Sequence, residues 1–178
     1  MNIEVYNLIL AGLVLAAQIW FLFVLVSLIG SGGRVQKDPV LKWVSKYFLW
    51  IALAFSLAGF VGSLGYSEII GYTPCKLCWI QRITLYPVLI LSAVGLYKKQ
   101  DTNLVECIIA LMIIGSLFGV SHLFLQFVPN SLDCGTTGQG VSCSKNWVRV
   151  WGYITIPMMC LTAHLNIMLA AITRKIDK

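Results

Sequence analysis

Apolar residues in this chain come in long runs rather than at amphipathic spacing, at about 8–29, 47–65, 79–97, 104–128 and 150–172. A helix needs about 20 mostly apolar residues to cross a hydrocarbon core of about 30 Å. Each run meets that length once, and none is long enough to count twice. Charges, glycines and prolines fill the intervals. The pattern predicts an all-α membrane protein with five spanning helices and no separate soluble domain, repeat or low-complexity tract.

Composition points the same way. Of 178 residues, 58% are apolar and 11% charged. A soluble domain carries about 25% charged residues, so too little polar surface remains here to cover a water-soluble globule. An ordinary soluble enzyme, a disordered chain and a nucleic-acid binder are excluded, despite a net charge of +6. The basic residues instead report topology, because Lys and Arg concentrate in cytoplasmic segments. Arg34, Lys37, Lys42, Lys46, Lys98, Lys99, Arg174, Lys175 and Lys178 fall on one side and make nine of the thirteen. Lys76, Lys145 and Arg149 fall on the other, with Arg82 just inside a helix. This predicts an N-terminus outside the cell and a C-terminus in the cytoplasm. The first run is expected to remain as a spanning helix. Glu4 and no basic residue precede it, and it exceeds the roughly 7–15 residues of a signal-peptide core.

Topology gives the cysteines a side. Cys75 and Cys78 form a Cys-x-x-Cys at the outer mouth of the third run, and Cys134 and Cys143 lie in the outer 129–149 loop. Both pairs face an oxidising compartment, where disulfides persist. Cys-x-x-Cys alone serves zinc ribbons and redox sites equally. The setting is more telling: Cys78 opens a membrane helix, Lys76 is adjacent, and Arg82 follows Cys78 by four residues on the same face. A helix N-terminus and nearby cations favour the thiolate, the reactive form of cysteine. An Arg inside a span is costly enough to suggest function, against the plainer reading of an anchor that snorkels to the headgroups. For the loop pair the plainer reading is a permanent staple. Gly135, Gly138 and Gly140 lie between those two cysteines and suit a mobile segment.

Other residues read as structural. His122 and Gln126 share a face near the outer end of the fourth run. Gly115 and Gly119, and likewise Gly59 and Ser63, have the small-xxx-small spacing that lets membrane helices approach. Gln81 and Gln126 read as interhelical hydrogen-bond partners. Pro87 and Pro157 are expected to kink their helices, Trp43, Trp79, Trp147 and Trp151 to anchor at the interface, and Cys107 and Cys160 to be buried. Asp133 and Lys145 read as solvated charges, and His164 as a core residue.

The stretch Pro74-Cys75-Lys76-Leu77-Cys78-Trp79-Ile80-Gln81-Arg82 resembles the Pro-Cys-x-Leu-Cys-x-x-x-Arg signature of the DsbB/BdbC family of bacterial membrane disulfide oxidoreductases. Ser121–Gln126 and Gly152–Met158 resemble the BdbC-type branch, and the likeness spans roughly residues 45–173. The resemblance implies a four-helix bundle over 46–178, with residues 1–45 an additional N-terminal transmembrane helix and basic cytoplasmic connection. It implies a quinone-linked thiol:disulfide oxidoreductase of the bacterial cytoplasmic membrane that reoxidises a DsbA-like thioredoxin-fold partner. Cys134 would form the mixed disulfide with the partner, and Cys143 would attack Cys75. Cys78 would then face ubiquinone or menaquinone, with Arg82, and more weakly His122, as quinone contacts. No metal cofactor is implied. The competing classes are a metal-ion transporter using Cys75, Cys78 and His122, a disulfide-stapled scaffold, and a vitamin-K-epoxide-reductase-like oxidoreductase. Only Glu106 offers an acid inside a span, which weakens the first.

Overall fold

The computed structural model of the chain describes residues 3–99, 102–128 and 142–177. Among these residues there are six α-helices and no strand: α1 Ile3–Gly30, α2 Pro39–Lys46, α3 Phe48–Leu64, α4 Lys76–Lys98, α5 Thr102–Phe127 and α6 Ile156–Ile176. All except α2 are long and apolar enough to cross a membrane, α3 together with a π-helical turn over Gly65–Ile69. The protein is an all-helical, multi-pass membrane protein with the five spans that run length predicts.

Helices α3, α4, α5 and α6 pack in a closed ring, each on its two neighbours, and α1 lies against the outside of α6. The most enclosed span is therefore α6, with Leu161, Ala163, Ile167, Ala170 and Ala171 buried. Helix α1 buries only Ala11 and Val24. Small residues set the close approaches. A Cβ at Gly115 of α5 would collide with the His164 ring of α6, and one at Gly59 of α3 with Leu85 of α4. His164 itself is satisfied in the core: Nδ1 donates to the Cys160 carbonyl (2.8 Å), and Nε2 lies 3.0 Å from Thr84 Oγ1.

Three local structures depart from the sequence reading. The 30–46 connection contains α2, a short helix nucleated by Asp38, whose carboxylate accepts from Val40 N–H (2.8 Å) and Leu41 N–H (3.3 Å) with Pro39 at the first position. It buries Leu41 and Val44, and Ser45 donates to Asp177 beyond the end of α6 (2.5 Å). The last span begins at Ile156 rather than near 150, because residues 150–154 close a small hairpin. Val150 and Ile154 exchange backbone hydrogen bonds of 2.9 and 3.0 Å, and Trp151 and Gly152 both have positive φ. Pro157 therefore occupies the first turn of α6, where no intrahelical N–H is needed, and does not kink the helix. Cys107 is exposed on the outer surface of the bundle rather than buried.

Candidate active site

The turn that precedes α4 builds the site. Pro74 disfavours helix at the residue before it, and Cys75 follows in an extended conformation as the N-cap of α4. Its sulfur accepts the Cys78 backbone N–H at 3.4 Å, the place an oxygen cap would take. Cys78 thus sits in the first turn with its own sulfur 3.1 Å from that of Cys75. Closing this gap by about 1 Å would make a disulfide. Cys75 is only 6% exposed, while Cys78 is half-buried.

Helix α5 brings His122 to the pair. Its Nε2 lies 3.6 Å from Cys75 Sγ, and its buried Nδ1 has no hydrogen-bond partner among the described residues. The hydrogen bond with Cys78 and, after it, burial push the Cys75 thiol up to about 12, and His122 opposes that shift. Cys75 is therefore held as the neutral thiol. Cys143 is also buried here, packed in one cluster with Cys75, Leu77 and Leu125, with Cys78 against it. The two cysteine motifs, far apart in sequence, are joined at this point. Cys134, together with Asp133 and the intervening glycines, lies outside the described residues.

Two cavities flank the pair. The smaller is lined by Cys75, Cys78, His122, Gln126, Lys145 and Trp147. The larger, of about 180 Å³, lies inside the bundle; its lining includes Cys78, Gln81, Arg82, Ser63, Tyr66 and Tyr72. Cys78 borders both. Arg82 is the one charged side chain of the larger cavity among the described residues. Its Nε donates to Ser63 Oγ (2.7 Å) and its Nη2 to the Ser63 carbonyl (3.1 Å), and its guanidinium lies 5.2 Å over the Trp79 ring. Gln81 is 3% exposed, and its Nε2 has no partner among the described residues. That leaves a donor beside Cys78 available to a guest. His122 does not line this cavity.

Several contributors escape sequence reasoning. Ser63, read as a packing residue, orients Arg82 with both its hydroxyl and its carbonyl. Tyr66, Tyr72 and Trp147 form a stack with ring centroids 6.0 and 4.7 Å apart along one edge of the cavity, so Trp147 is a wall of the site. Lys145 is exposed, as a solvated charge should be, and its ammonium lies 3.7 Å over the Trp147 ring. The signal for these was the aromatic density around Pro74, which says nothing about partners. The ligand atoms of Cys75, Cys78 and His122 lie within 4.8 Å of one another, close enough to hold a soft cation. The same three groups, with no acid among them, equally make a dithiol and a base.

Residues 45–173 match the protein family described as disulfide bond formation protein DsbB. Disulfide bond formation protein C of Bacillus subtilis is 33% identical over 122 residues, 68% of this chain and 88% of that protein. The SPbeta prophage-derived disulfide bond formation protein B of the same organism is 37% identical over 118 residues, 66% of this chain and 78% of that one. Probable disulfide formation protein C 2 of Bacillus anthracis is 30% identical over 135 residues, 76% and 95% of the two chains. No solved structure matches the chain.

Proposed function

This chain belongs to the DsbB family of disulfide bond formation proteins, and from that premise we propose that it carries electrons from a DsbA-like thioredoxin-fold partner to a membrane quinone. The observation that carries this reading is the position of Cys78. It touches the Cys75 sulfur on one side and borders the larger cavity, with Gln81 and Arg82, on the other. A quinone fits the donor set, since its carbonyls need hydrogen-bond donors or positive charge and its ring needs apolar walls. Gln81 Nε2 and Arg82 supply the first, and Phe55, Leu85 and Ile156 the second. The quinone, when bound, supplies the sink: it takes up two electrons and two protons to become a quinol.

The thiol steps balance within the chain and its partner. A partner thiolate attacks Cys134 of a Cys134–Cys143 disulfide, forming a mixed disulfide and releasing Cys143. Cys143 attacks Cys75 of a Cys75–Cys78 disulfide, forming Cys143–Cys75 and releasing Cys78 towards the cavity. The partner's second thiol displaces Cys134 and leaves as the oxidised protein. Cys134 then attacks Cys143, restoring the loop disulfide and freeing Cys75. Two electrons and two protons now reside on Cys75 and Cys78. His122, at 3.6 Å, takes the Cys75 proton when that pair is reoxidised. Packing of Cys143 beside Cys75 supports the second exchange.

Orientation follows the charges. The cysteine site lies at the end of the bundle opposite α2, Lys98 and Arg174, so the basic end faces the cytoplasm of a bacterial cell and the cysteines face outward. Residues 1–45 are the added helix with its basic connection, and 46–178 the oxidoreductase core. The test is reduction of a quinone by a reduced thioredoxin-fold dithiol protein, followed by absorbance with purified protein in lipid. Turnover that needs Cys75, Cys78, Cys134 and Cys143 supports the reading. Wild-type protein that oxidises the partner at no measurable rate with any quinone overturns it.

A further inference from the structure

Helix α1 lies wholly outside residues 45–173, yet Leu10, Leu13, Val14 and Ala17 line the cavity that holds Cys78, Gln81 and Arg82. The spacing of those four residues is one stripe of a helix, so a single face of α1 closes the cavity. Polar contacts bracket the stripe and fix its rotation. At one end Tyr6 Oη donates to the Gly62 carbonyl (3.2 Å), and Tyr66 Oη donates to Asn7 Oδ1 (2.9 Å). At the other, Gln18 Nε2 donates to Thr162 Oγ1 (3.2 Å), and Asn166 Nδ2 donates to the Ala17 carbonyl (3.3 Å). Gly65 leaves the room that the Tyr6 hydroxyl occupies, because a Cβ there would collide with it.

Chain direction gives the cavity a charged end and an uncharged end. Helices α1 and α4 both start at the cysteine end, so Leu10 and Cys78 lie near the mouth, and Ala17, Leu85 and Tyr86 lie about two turns deeper. Helix α3 runs the other way and places Ser63 at the mouth and Phe55 deep. Arg82 and Gln81 mark the upper part, whereas the deeper walls carry no charge. We propose that α1 forms the wall that receives the apolar tail of the quinone, while its ring sits against Cys78, Gln81 and Arg82. This rests on the quinone reading above and assigns α1 a share in choosing the acceptor. The added helix is then part of the binding site, and tailed acceptors gain from it where a bare ring does not.

Photolabelling of unaltered protein in lipid vesicles tests this directly, with one quinone analogue reactive on the ring and another reactive along the isoprenoid tail. The ring probe should label residues 78–82, and the tail probe residues 10–17 of α1. Ring labelling at 78–82 with tail labelling confined to other helices overturns the inference and leaves the quinone reading standing. No labelling of the cavity by either probe, with no quinone reduction, removes both. A kinetic arm separates wall from scaffold. Val14→Trp and Ala17→Trp should raise KM for a long-tailed quinone about tenfold, equivalent to about two buried methylene groups, and leave KM for a tail-less ring analogue unchanged. Ile19→Trp, on the exposed face of α1, should change neither. An equal rise for tailed and tail-less acceptors would make α1 a scaffold only.

Discussion

His122 Nε2 lies 3.6 Å from Cys75 Sγ, in a different cavity from the one that Arg82 lines. The two polar groups that sequence reasoning would assign together to the electron acceptor therefore have separate positions. Arg82 and Gln81 stand on the larger-cavity side of the cysteine pair, and His122 stands beside Cys75. The division suits a relay in which electrons leave past Cys78 and a proton is handled at Cys75.

The first prediction concerns that proton. With its thiol held up to about 12, Cys75 stays protonated at neutral pH, and any step in which it attacks another sulfur needs a base. His122 opposes the upward shift, so its removal moves the thiol further up and slows attack. In His122→Phe, reoxidation of the reduced pair should fall by about 10²-fold at pH 7. It should then recover by about tenfold per pH unit as the thiolate fraction grows. Stopped-flow quinone reduction across pH 6–10 reads both. A variant with the wild-type rate and slope would leave His122 a packing residue.

The second concerns entry of electrons. A partner that keeps only its attacking cysteine has no second thiol to displace Cys134, so its attack on the Cys134–Cys143 disulfide should release Cys143 and leave a mixed disulfide with Cys134 that accumulates. Non-reducing electrophoresis detects it as a covalent adduct of both chains. Cys134→Ala should abolish the adduct, and an adduct that survives there would move the entry point to another cysteine.

Packing supplies the third. Gly115 leaves room for the His164 ring, and Thr84 Oγ1 would lie 2.6 Å from a Cβ there. Gly115→Leu should cost about 1–3 kcal/mol through overpacking, read as a lower Tm in detergent. Gly119→Ala, which meets Leu161 Cδ1 at 3.2 Å, should cost less, because a leucine methyl can give way. Equal losses would show that the two glycines are not graded by these contacts.

The spans were legible because run length is a one-dimensional signal, and it survives even where boundaries do not. Val150-Trp151-Gly152-Tyr153-Ile154 is apolar enough to extend a span, and only the positive φ at Trp151 and Gly152 reveals a hairpin. The Cys75–Cys78 turn and the Cys78–Arg82 spacing are local, so they too could be read along the chain. What lay beyond reach was rotation about helix axes. Helices that are apolar all round carry no moment to say which face looks inward. For that reason Ser63 holding Arg82, His122 reaching Cys75 rather than the larger cavity, and the α1 stripe on that cavity emerge only in three dimensions.

The last prediction turns on Ser63 and Arg82. The guanidinium is held by two hydrogen bonds to Ser63 and stacked on Trp79, which fixes a full positive charge beside the cavity, in a low-dielectric setting. Negative charge arriving on a bound quinone should be stabilised there without reorganisation, a contribution of about 10²–10³ in rate for a well-placed donor. Arg82→Met should therefore lower quinone reduction by about that factor. Arg82→Lys keeps the charge but loses the planar fork that engages Ser63, so it should mainly raise KM. Ser63→Ala removes the 2.7 Å bond and keeps the carbonyl contact, and its loss should be the smallest of the three. Exchange between the partner and Cys134 should be unchanged in all, since none of these groups touches the thiol side. Quinone reduction and partner exchange measured separately on folded, membrane-inserted variants give the order Met, Lys, Ala in decreasing severity. Wild-type kinetics in Arg82→Met would reduce Arg82 to an anchor and move the acceptor away from this cavity.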